Sequence, residues 1–320
     1  MTKGTSPIMA QMEKVYRHTR ANSFGTRARY ESSCRNFIGF LDEKFKMKNL
    51  RNLQDKHVVA YIQYRQSEGI APKTLKNDLG AIRYMHDMLP NVKYDLSDNK
   101  NIQINFPVTL EITPVVKGDR AWTEQEYRGM HRVAREMEEK GSRGSGTAAD
   151  VQNIAQLAKT MGMRVTEATA MSRTQAEQAL RSGVYQIQNE AKNGKWRQVP
   201  LSAEGRKVME CRIKHIPRGE RLFIRHNEKT HQAVNRMEKF LQNNREKFET
   251  VEGQESRMYE GTSNTLTYHG LRYYYIQNRM QQEINKGFTK EQAAMIVTKE
   301  VGHERIGVLN VYLGGKTTVG

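Results

Sequence analysis

The stretch GVYQIQNEAKNGKWRQVPLS, residues 183–202, holds the clearest local structural signal in this 320-residue chain. Apolar and polar residues alternate on both sides of a polar centre, Asn193-Gly194, as they do in two antiparallel strands joined by a tight turn. The pattern predicts a β-hairpin. Because apolar residues elsewhere recur at spacings of three and four, we expect a mainly α chain with a small antiparallel β-sheet in its C-terminal domain.

Helical periodicity extends on both sides of the hairpin. Residues 25–90 read as helices, without a convincing strand, and after the hairpin we expect helices at about 203–215, 229–247, 267–286 and 289–300. Before the hairpin, a helix is predicted from about Thr147 to Met161. Two helix starts carry a capping box, a Thr followed three residues later by Glu or Gln: Thr123 with Glu126, and Thr289 with Gln292.

These patterns divide the chain into four parts. Residues 1–24 form an N-terminal extension, and residues 25–95 a helical domain. Residues 96–120 lose any sustained period and contain two prolines, which indicates a linker. Residues 121–320 form a second domain of mixed α and β structure.

The net charge of +17, with a pI near 9.8, exceeds what solubility requires and indicates a polyanionic partner. Residues 1–110 hold 18 Lys and Arg against 10 Asp and Glu, a net +8, so residues 111–320 hold the other +9. An even spread favours two folded domains that both face a phosphate backbone over one basic tail. A solvated surface with excess Lys and Arg is the plainer alternative.

The helical domain offers the first DNA-binding candidates. The basic residues on its polar faces are Arg27, Arg29, Arg35, Lys73, Lys76 and Arg83. The segment APKTLKNDLGAIRYMHDML, residues 71–89, begins with a Pro and hydrogen-bond donors where a helix N-terminus could meet phosphate. Neither an apolar stretch of about 20 residues nor a signal peptide is present, so we expect a soluble protein of the cytoplasm or nucleoid that uses no membrane.

Two segments supply positive charge suited to phosphate chemistry. In TYHGLRYYYIQNRM, His269 and Arg272 lie three residues apart and therefore on one helix face, although a surface ion-pairing face is the plainer interpretation. In MGMRVTEATAM, Arg164 stands in apolar company with Glu167 one turn later, which also suits a structural ion pair.

Two further segments complete a set. The predicted hairpin turn AKNGKW projects Lys192 and Lys195, although exposed lysines are ordinary in turns. Near the end of the chain, in VGHERIGVLNVYLGG, residues 301–315, His303 precedes Tyr312 by nine residues.

Together these residue types could exchange phosphodiester bonds. Two arginines can hold the non-bridging oxygens of a phosphate, where negative charge grows in the transition state. A lysine could protonate a leaving 5′ oxygen, and a histidine could move a proton. The phenol of Tyr312, with a pKa of about 10 in the free residue, becomes a competent nucleophile where positive charge stabilises its phenolate. Since no carboxylate cluster has metal-ligand spacing, we expect neither two-metal hydrolysis nor any cofactor.

The ordered set resembles the tyrosine recombinases, or phage-type integrases. MGMRVTEA is similar to the family's first box, NEAKNGKWRQVPL to the hairpin with the catalytic lysine, YHGLR to the His-x-x-Arg box and VGHERIGVLNVY to the last box. The resemblance implies these catalytic residues: Arg164, Glu167, Lys192 with Lys195 as the alternative, His269, Arg272, His303 and Tyr312 as the nucleophile.

The resemblance further implies a fold and an activity. Residues 25–95 would be a SAM-like core-site-binding domain and residues 121–320 the catalytic domain of a site-specific recombinase. The partner would be double-stranded DNA recombination sites, two of which are joined by a homo-tetramer whose protomers are monomeric or weakly associated without DNA. Strands would exchange through a 3′-phosphotyrosine and a Holliday junction, in the integration or excision of a mobile element.

Three departures from the family pattern stand out. His303 follows His269 by 34 positions, more than the usual spacing, which indicates a longer helix or an inserted loop. We expect no extra helix from the short, Gly-rich tail after Tyr312 and no arm-site-binding domain from residues 1–24. Two alternatives remain: a type IB topoisomerase with nearly the same pocket, and a non-catalytic DNA-binding protein.

Overall fold

A computed structural model describes residues 6–18, 24–110, 118–141, 144–188, 190 and 196–314. Contacts between Cα atoms divide the chain into two units, Met1–Thr113 and Pro114–Gly320. Each unit has its own apolar core, and the second also contains a smaller cluster around the C-terminal helices.

The described part of the first unit contains helices and no strand. Its α-helices are α1 (Pro7–His18), α2 (Phe24–Phe45), α3 (Asp55–Ser67), α4 (Pro72–Asp87) and α5 (Asn99–Asn105). Its core gathers apolar side chains from successive helices, among them Phe37, Tyr61 and Leu79. Pro72 occupies the first turn of α4, where its missing N–H would have no helical partner.

The first unit begins earlier than the sequence pattern predicts. Helix α1 lies within the predicted extension, yet its Ile8, Met12 and Tyr16 are buried in the same core as α2. Their spacing of four puts them on one face of the helix, and burying that face adds α1 to the helical unit.

The first unit also ends later than predicted. Helix α5 lies in the predicted linker, and Ile102, Val108 and Leu110 around it are buried in the first unit's core. Three apolar anchors within nine residues therefore bind much of this segment to the helical unit, although the segment shows no long period.

The second unit is mainly α with two small antiparallel sheets. Its α-helices are α6 (Glu124–Glu139), α7 (Ser145–Met161), α8 (Val165–Thr169), α9 (Arg173–Ser182), α10 (Ala203–Ile213), α11 (Thr230–Asn244), α12 (Val251–Ser256), α13 (Tyr268–Asn285), α14 (Lys290–Val301) and α15 (Leu309–Tyr312). Its strands are β1 (Val184–Ile187), β2 (Arg197–Pro200), β3 (Met258–Tyr259) and β4 (Thr262–Ser263).

The predicted β-hairpin is confirmed. Strands β1 and β2 pair antiparallel, with Val184 opposite Pro200 and Ile187 opposite Arg197. Tyr185, Ile187 and Val199 turn inward and are buried, as the alternation predicts. The second sheet, β3 with β4, was not predicted, because two-residue strands are too short to show a period.

Both predicted capping boxes are present. Glu126 N donates to the Thr123 hydroxyl over 3.2 Å, and Thr123 N donates to the Glu126 carboxylate over 2.9 Å. Thr289 and Gln292 exchange the same pair of hydrogen bonds at the start of α14.

The long segment between His269 and His303 consists of α13, a turn and α14. Gly287, with φ of 95°, allows the turn. The carboxylate of Glu300 then ties the end of α14 back to α13: it accepts from Arg279 Nη2 over 2.7 Å and from the Tyr275 hydroxyl over 2.9 Å. The extra length is thus a packed helical hairpin that returns the chain to α13.

None of the described helices combines the length and the apolar character needed to span a bilayer.

Candidate active site

The first turn of α13 is held by close backbone packing. Trp122 Nε1 donates to Thr267 O over 2.7 Å, just before the helix. A Cβ added to Gly270 would lie 2.3 Å from the carbonyl oxygen of Arg120, so only glycine fits there. This packing fixes the turn that carries His269 and Arg272.

Arg272 is a buried cation without a carboxylate partner in the described part of the chain. Its side chain has no exposed surface, and its two Nη atoms donate to the main-chain oxygens of Gly162 and Val301. Its Nε is buried with no hydrogen-bond acceptor among the described residues. Burial, followed by the positive charge of Arg164, lowers the pKa of Arg272 to about 10, so the guanidinium stays charged at neutral pH. A buried charge of this kind calls for an anion.

Tyr312 lies beside this cation in the same chain. Its side chain is 6% exposed, and Arg272 Cζ lies 5.9 Å from the centre of its ring. The ring also packs against His269 and Tyr273, with centroids 5.5 and 4.7 Å away. Gln277 Nε2 donates to the main-chain oxygen of Tyr312 over 2.9 Å, which anchors α15 on α13.

His303 contacts the hydroxyl of Tyr312 directly. Its Nε2 lies 3.1 Å from the hydroxyl oxygen. His303 follows Gly302, which ends α14 with a φ of 68°, and its main-chain N–H donates to Thr298 O over 3.0 Å. The helix terminus therefore places an imidazole where it can accept or return the phenol's proton.

Glu167 joins two arginines at the start of α8. Arg164 Nη1 donates to Oε1 over 2.6 Å, and the main-chain N–H of Arg164 donates to Oε2 over 2.8 Å. Arg197, the first residue of β2, donates from Nη1 to Oε1 over 2.7 Å and from Nη2 to Oε2 over 2.6 Å. The carboxylate side chain is 1% exposed.

The charge of this cluster is fixed at neutral pH. Burial alone would raise the pKa of Glu167, but hydrogen bonds and positive charge from Arg197, with a further contribution from Arg164, lower it to about 2. Two guanidinium groups and one carboxylate leave a net charge of +1. Because the Arg164 side chain is 20% exposed, that charge is accessible to an anion from solution.

The structure thus brings together six of the seven predicted catalytic residues. Arg164 and Glu167 interact electrostatically with Arg272, and Tyr312 contacts His303 and Arg272. His269 joins them through its ring contact with Tyr312. Lys192 and the alternative Lys195 lie outside the described residues, so their role stays a prediction.

The predicted DNA-binding residues of the first unit differ in their surroundings. Lys73 is exposed, whereas Arg35 is paired with Glu13 and Glu31 over 3.2 and 2.8 Å. Arg83 donates to Ser97 O over 2.9 Å, and burial lowers its pKa.

Three more of these predicted residues are Arg27, Arg29 and Lys76. Arg27 Nη2 donates to Tyr16 O over 2.5 Å, and the Arg29 guanidinium lies 5.6 Å from the centre of the Tyr30 ring. Lys76 is half-buried on α4. A role in DNA binding stays a prediction for all six, as it does for Lys195, which lies outside the described residues.

Arg197 is the one arginine of this cluster that the sequence patterns do not reveal. It stands in a predicted strand next to residues of alternating polarity, where an arginine ordinarily faces solvent. In the folded hairpin Arg197 pairs with the buried Ile187, so its side chain lies on the inner face and meets Glu167.

Known proteins share the fold of this chain. Residues 6–91 match the family model for the phage integrase N-terminal domain. Over 95% of this chain and 80% of the other, the structure resembles the XerH site-specific recombinase in a post-cleavage complex with its difH substrate, with a TM-score of 0.58 and 17% identity. The fold is that of a tyrosine recombinase.

Two further structures support the tyrosine recombinase fold. The Tn1549 transposon integrase in complex with circular-intermediate DNA matches 95% of this chain and 93% of its own, with a TM-score of 0.59 and 12% identity. A lambda integrase tetramer on a Holliday junction matches 95% of this chain and 76% of its own, with a TM-score of 0.58 and 13% identity. No curated protein sequence matches this chain.

The tyrosine recombinase fold thus agrees with the expected mainly α architecture and with a SAM-like helical domain at the N-terminal side. Within the described residues, no group of three or more His, Cys, Asp or Glu side chains is arranged to hold a metal ion.

Proposed function

We propose that this chain is a site-specific DNA recombinase that cuts and rejoins DNA through a covalent bond between Tyr312 and a 3′ phosphate. The observation that carries the proposal is the Tyr312 hydroxyl, 3.1 Å from His303 and beside the buried guanidinium of Arg272. A tyrosine hydroxyl, a possible proton acceptor and a buried cation thus lie side by side within one chain.

The cleavage step begins at the hydroxyl of Tyr312. With Nε2 unprotonated, His303 accepts the phenol's proton while the tyrosine oxygen bonds to phosphorus. The bond from phosphorus to the 5′ oxygen breaks, and Lys192 donates the proton that this oxygen needs to leave as a hydroxyl. Arg272 and Arg164 stabilise the charge that grows on the non-bridging oxygens.

Religation reverses the same step. A 5′ hydroxyl attacks the phosphotyrosine and returns the bond to DNA, so no nucleotide cofactor is required for energy. With a hydroxyl from a second site, the reaction exchanges strands. We propose that four protomers on two sites do this through a Holliday junction, in the integration or excision of a mobile element. The fold shared with XerH, the Tn1549 integrase and lambda integrase supports the proposal.

Covalent trapping tests the proposal even though the target sequence is unknown at the outset. Cells that express the protein are lysed in denaturant, protein-linked DNA is recovered and its ends are sequenced. We expect one recurrent sequence from wild type and none from Tyr312→Phe. Tyr274→Phe is the matched control, because the ring of this tyrosine packs against Lys159, with Nζ 4.8 Å from its centre, and its loss should leave trapping unchanged.

A second assay uses the recovered sequence. Two copies on one plasmid should recombine, and adducts on a nicked duplex should form in EDTA, because guanidinium groups supply the positive charge. Plasmid relaxation without joining of the two sites would instead indicate a topoisomerase. Adducts from Tyr312→Phe at the wild-type level would contradict the proposal.

A further inference from the structure

Arg197 connects several elements around the pocket. Its two Nη atoms bind both oxygens of Glu167, and its Nε donates to the main-chain oxygen of Glu300 over 3.0 Å. Its side chain is 6% exposed. A Cβ on Gly302 would lie 2.8 Å from Arg197 Cδ, so the end of α14 is packed closely on this side chain. One arginine thus connects β2, α8 and α14.

We propose that Arg197 is a positioning residue for DNA cleavage, which holds Glu167 so that Arg164 can bind the phosphate and which fixes the end of α14 so that His303 meets Tyr312. The inference rests on the proposed function and deepens it.

The effect of Arg197 on Arg164 is a matter of charge. Without Arg197, Glu167 and Arg164 would form a neutral pair, and the carboxylate would compete with DNA phosphate for the only guanidinium left to it. With Arg197, both carboxylate oxygens are engaged by a bidentate partner, and the cluster keeps a net +1. Arg164, at 20% side-chain exposure, is the member that solvent reaches.

The effect of Arg197 on His303 is exerted at the C-terminus of α14. The last carbonyls of a helix lack partners within the helix. Here two consecutive ones are bound by arginines, Glu300 O by Arg197 and Val301 O by Arg272. His303 comes two residues later. The two side chains that flank the pocket therefore also fix the backbone from which His303 projects.

A purely structural role is the competing explanation, and the chain contains a matched control. Arg257 binds both oxygens of Glu126 over 2.7 and 2.8 Å, and its Nε donates to Asn264 O over 3.2 Å. It makes the same kinds of hydrogen bond as Arg197 but contacts none of the predicted catalytic residues in the described structure. Comparing Arg197→Lys with Arg257→Lys separates positioning from folding, because each variant keeps its charge and loses the bidentate fork.

The experiment measures the rate of covalent adduct formation on a nicked duplex that carries the sequence recovered by trapping. We expect Arg197→Lys and Arg197→Met to lower this rate by about a hundredfold, the effect of displacing reacting groups by about 1 Å. The affinity for the duplex should change much less. Arg257→Lys, corrected for its folded fraction, should keep the wild-type rate.

A rescue variant gives a result that a structural role would not produce. In Arg197→Met, the added substitution Glu167→Gln removes the charge that competes for Arg164, so it should restore part of the lost rate. The ratio of the Arg197→Met rate to the wild-type rate should also rise in acid, because protonation of Glu167 frees Arg164 for the phosphate. In this variant Glu167 keeps only Arg164 close by, with Arg272 and Tyr185 as the other groups facing it. The double variant should show no such rise relative to wild type, because protonation of His303, the proposed proton acceptor, slows all three proteins alike.

If Arg197→Met formed adducts at the wild-type rate, the inference about Arg197 would be overturned while the proposed function stood. A double variant no faster than Arg197→Met would have the same consequence. An equal loss in Arg257→Lys after correction would also overturn it. Absence of adduct from the wild-type protein would instead contradict the proposed function itself.

Discussion

Two arginine–glutamate clusters in the second unit have nearly the same geometry. In each, a Glu at the third position of a helix completes a capping box and accepts from the main-chain N–H that precedes the helix, over 2.9 Å at Glu126 and 2.8 Å at Glu167. In each, an arginine from a distant segment binds both carboxylate oxygens. These arginines are Arg257 and Arg197.

The third member of each cluster makes the difference. Arg257 also binds Glu249 over 2.8 Å, so that cluster has two carboxylates, one guanidinium and a net charge of −1. The cluster at Glu167 has Arg164 instead and a net charge of +1. Arg257 and Glu126 are fully buried, whereas Arg164 reaches solvent. The same local device is thus sealed in the interior in one place and exposes positive charge to solvent in the other.

The largest expected effect is on the buried cluster. Arg257→Met should lower the free energy of unfolding by about 3–5 kcal/mol, because it leaves two carboxylates without their cation in a dry interior. Urea unfolding of the two proteins measures this. Arg128→Met, which breaks an exposed pair with Glu124 on the same helix, should stay within about 0.5 kcal/mol. Equal losses in the two variants would erase the distinction between the clusters.

The second effect concerns the exposed member of the other cluster. Arg164→Lys keeps the positive charge but cannot span two phosphate oxygens, so adduct formation should fall by about 10²–10³-fold, as when one transition-state donor is removed. Stability should change by no more than about 1 kcal/mol. Arg173→Lys is the control, since Arg173 pairs with Glu177 on α9. If Arg164→Lys lost much stability but formed adducts normally, Arg164 would stabilise the fold, as Arg257 is expected to do.

A smaller effect is expected in acid. The folded-state pKa of Glu167, about 2, lies below its ordinary 4.5, so its contribution to stability is complete above about pH 4.5 and disappears as the pH falls toward 2. Between pH 5 and pH 3, wild type should lose about 2 kcal/mol more of its unfolding free energy than Glu167→Gln. Urea unfolding at several pH values measures the difference. Parallel curves would mean that the arginines do not hold this carboxylate ionised.

Local patterns predicted much of the second unit. Alternation around Asn193-Gly194 gave the hairpin, and Thr–x–x–Glu or Gln spacing gave two helix starts that the structure confirms. His269 and Arg272 lie on one helix, and His303 contacts Tyr312. Both pairs could be predicted because their members are close in sequence.

Contacts between distant residues were beyond these patterns. Arg197 and Glu167 are 30 positions apart, and Arg257 and Glu126 are 131 apart, so only the tertiary fold shows which arginine meets which carboxylate. The place of helix α1, Val108 and Leu110 in the first unit's core was not predicted for a related reason. Their apolar segments are too short to show which core they pack against.

We propose that Tyr312 takes the DNA phosphate, and the modified residue can be identified directly. Protein trapped on its DNA can be digested with nuclease and protease. The modified peptide is then sequenced by mass spectrometry. We expect the phosphate and its residual nucleotide on Tyr312. A phosphate on Tyr273, on any other side chain, or on none would contradict it.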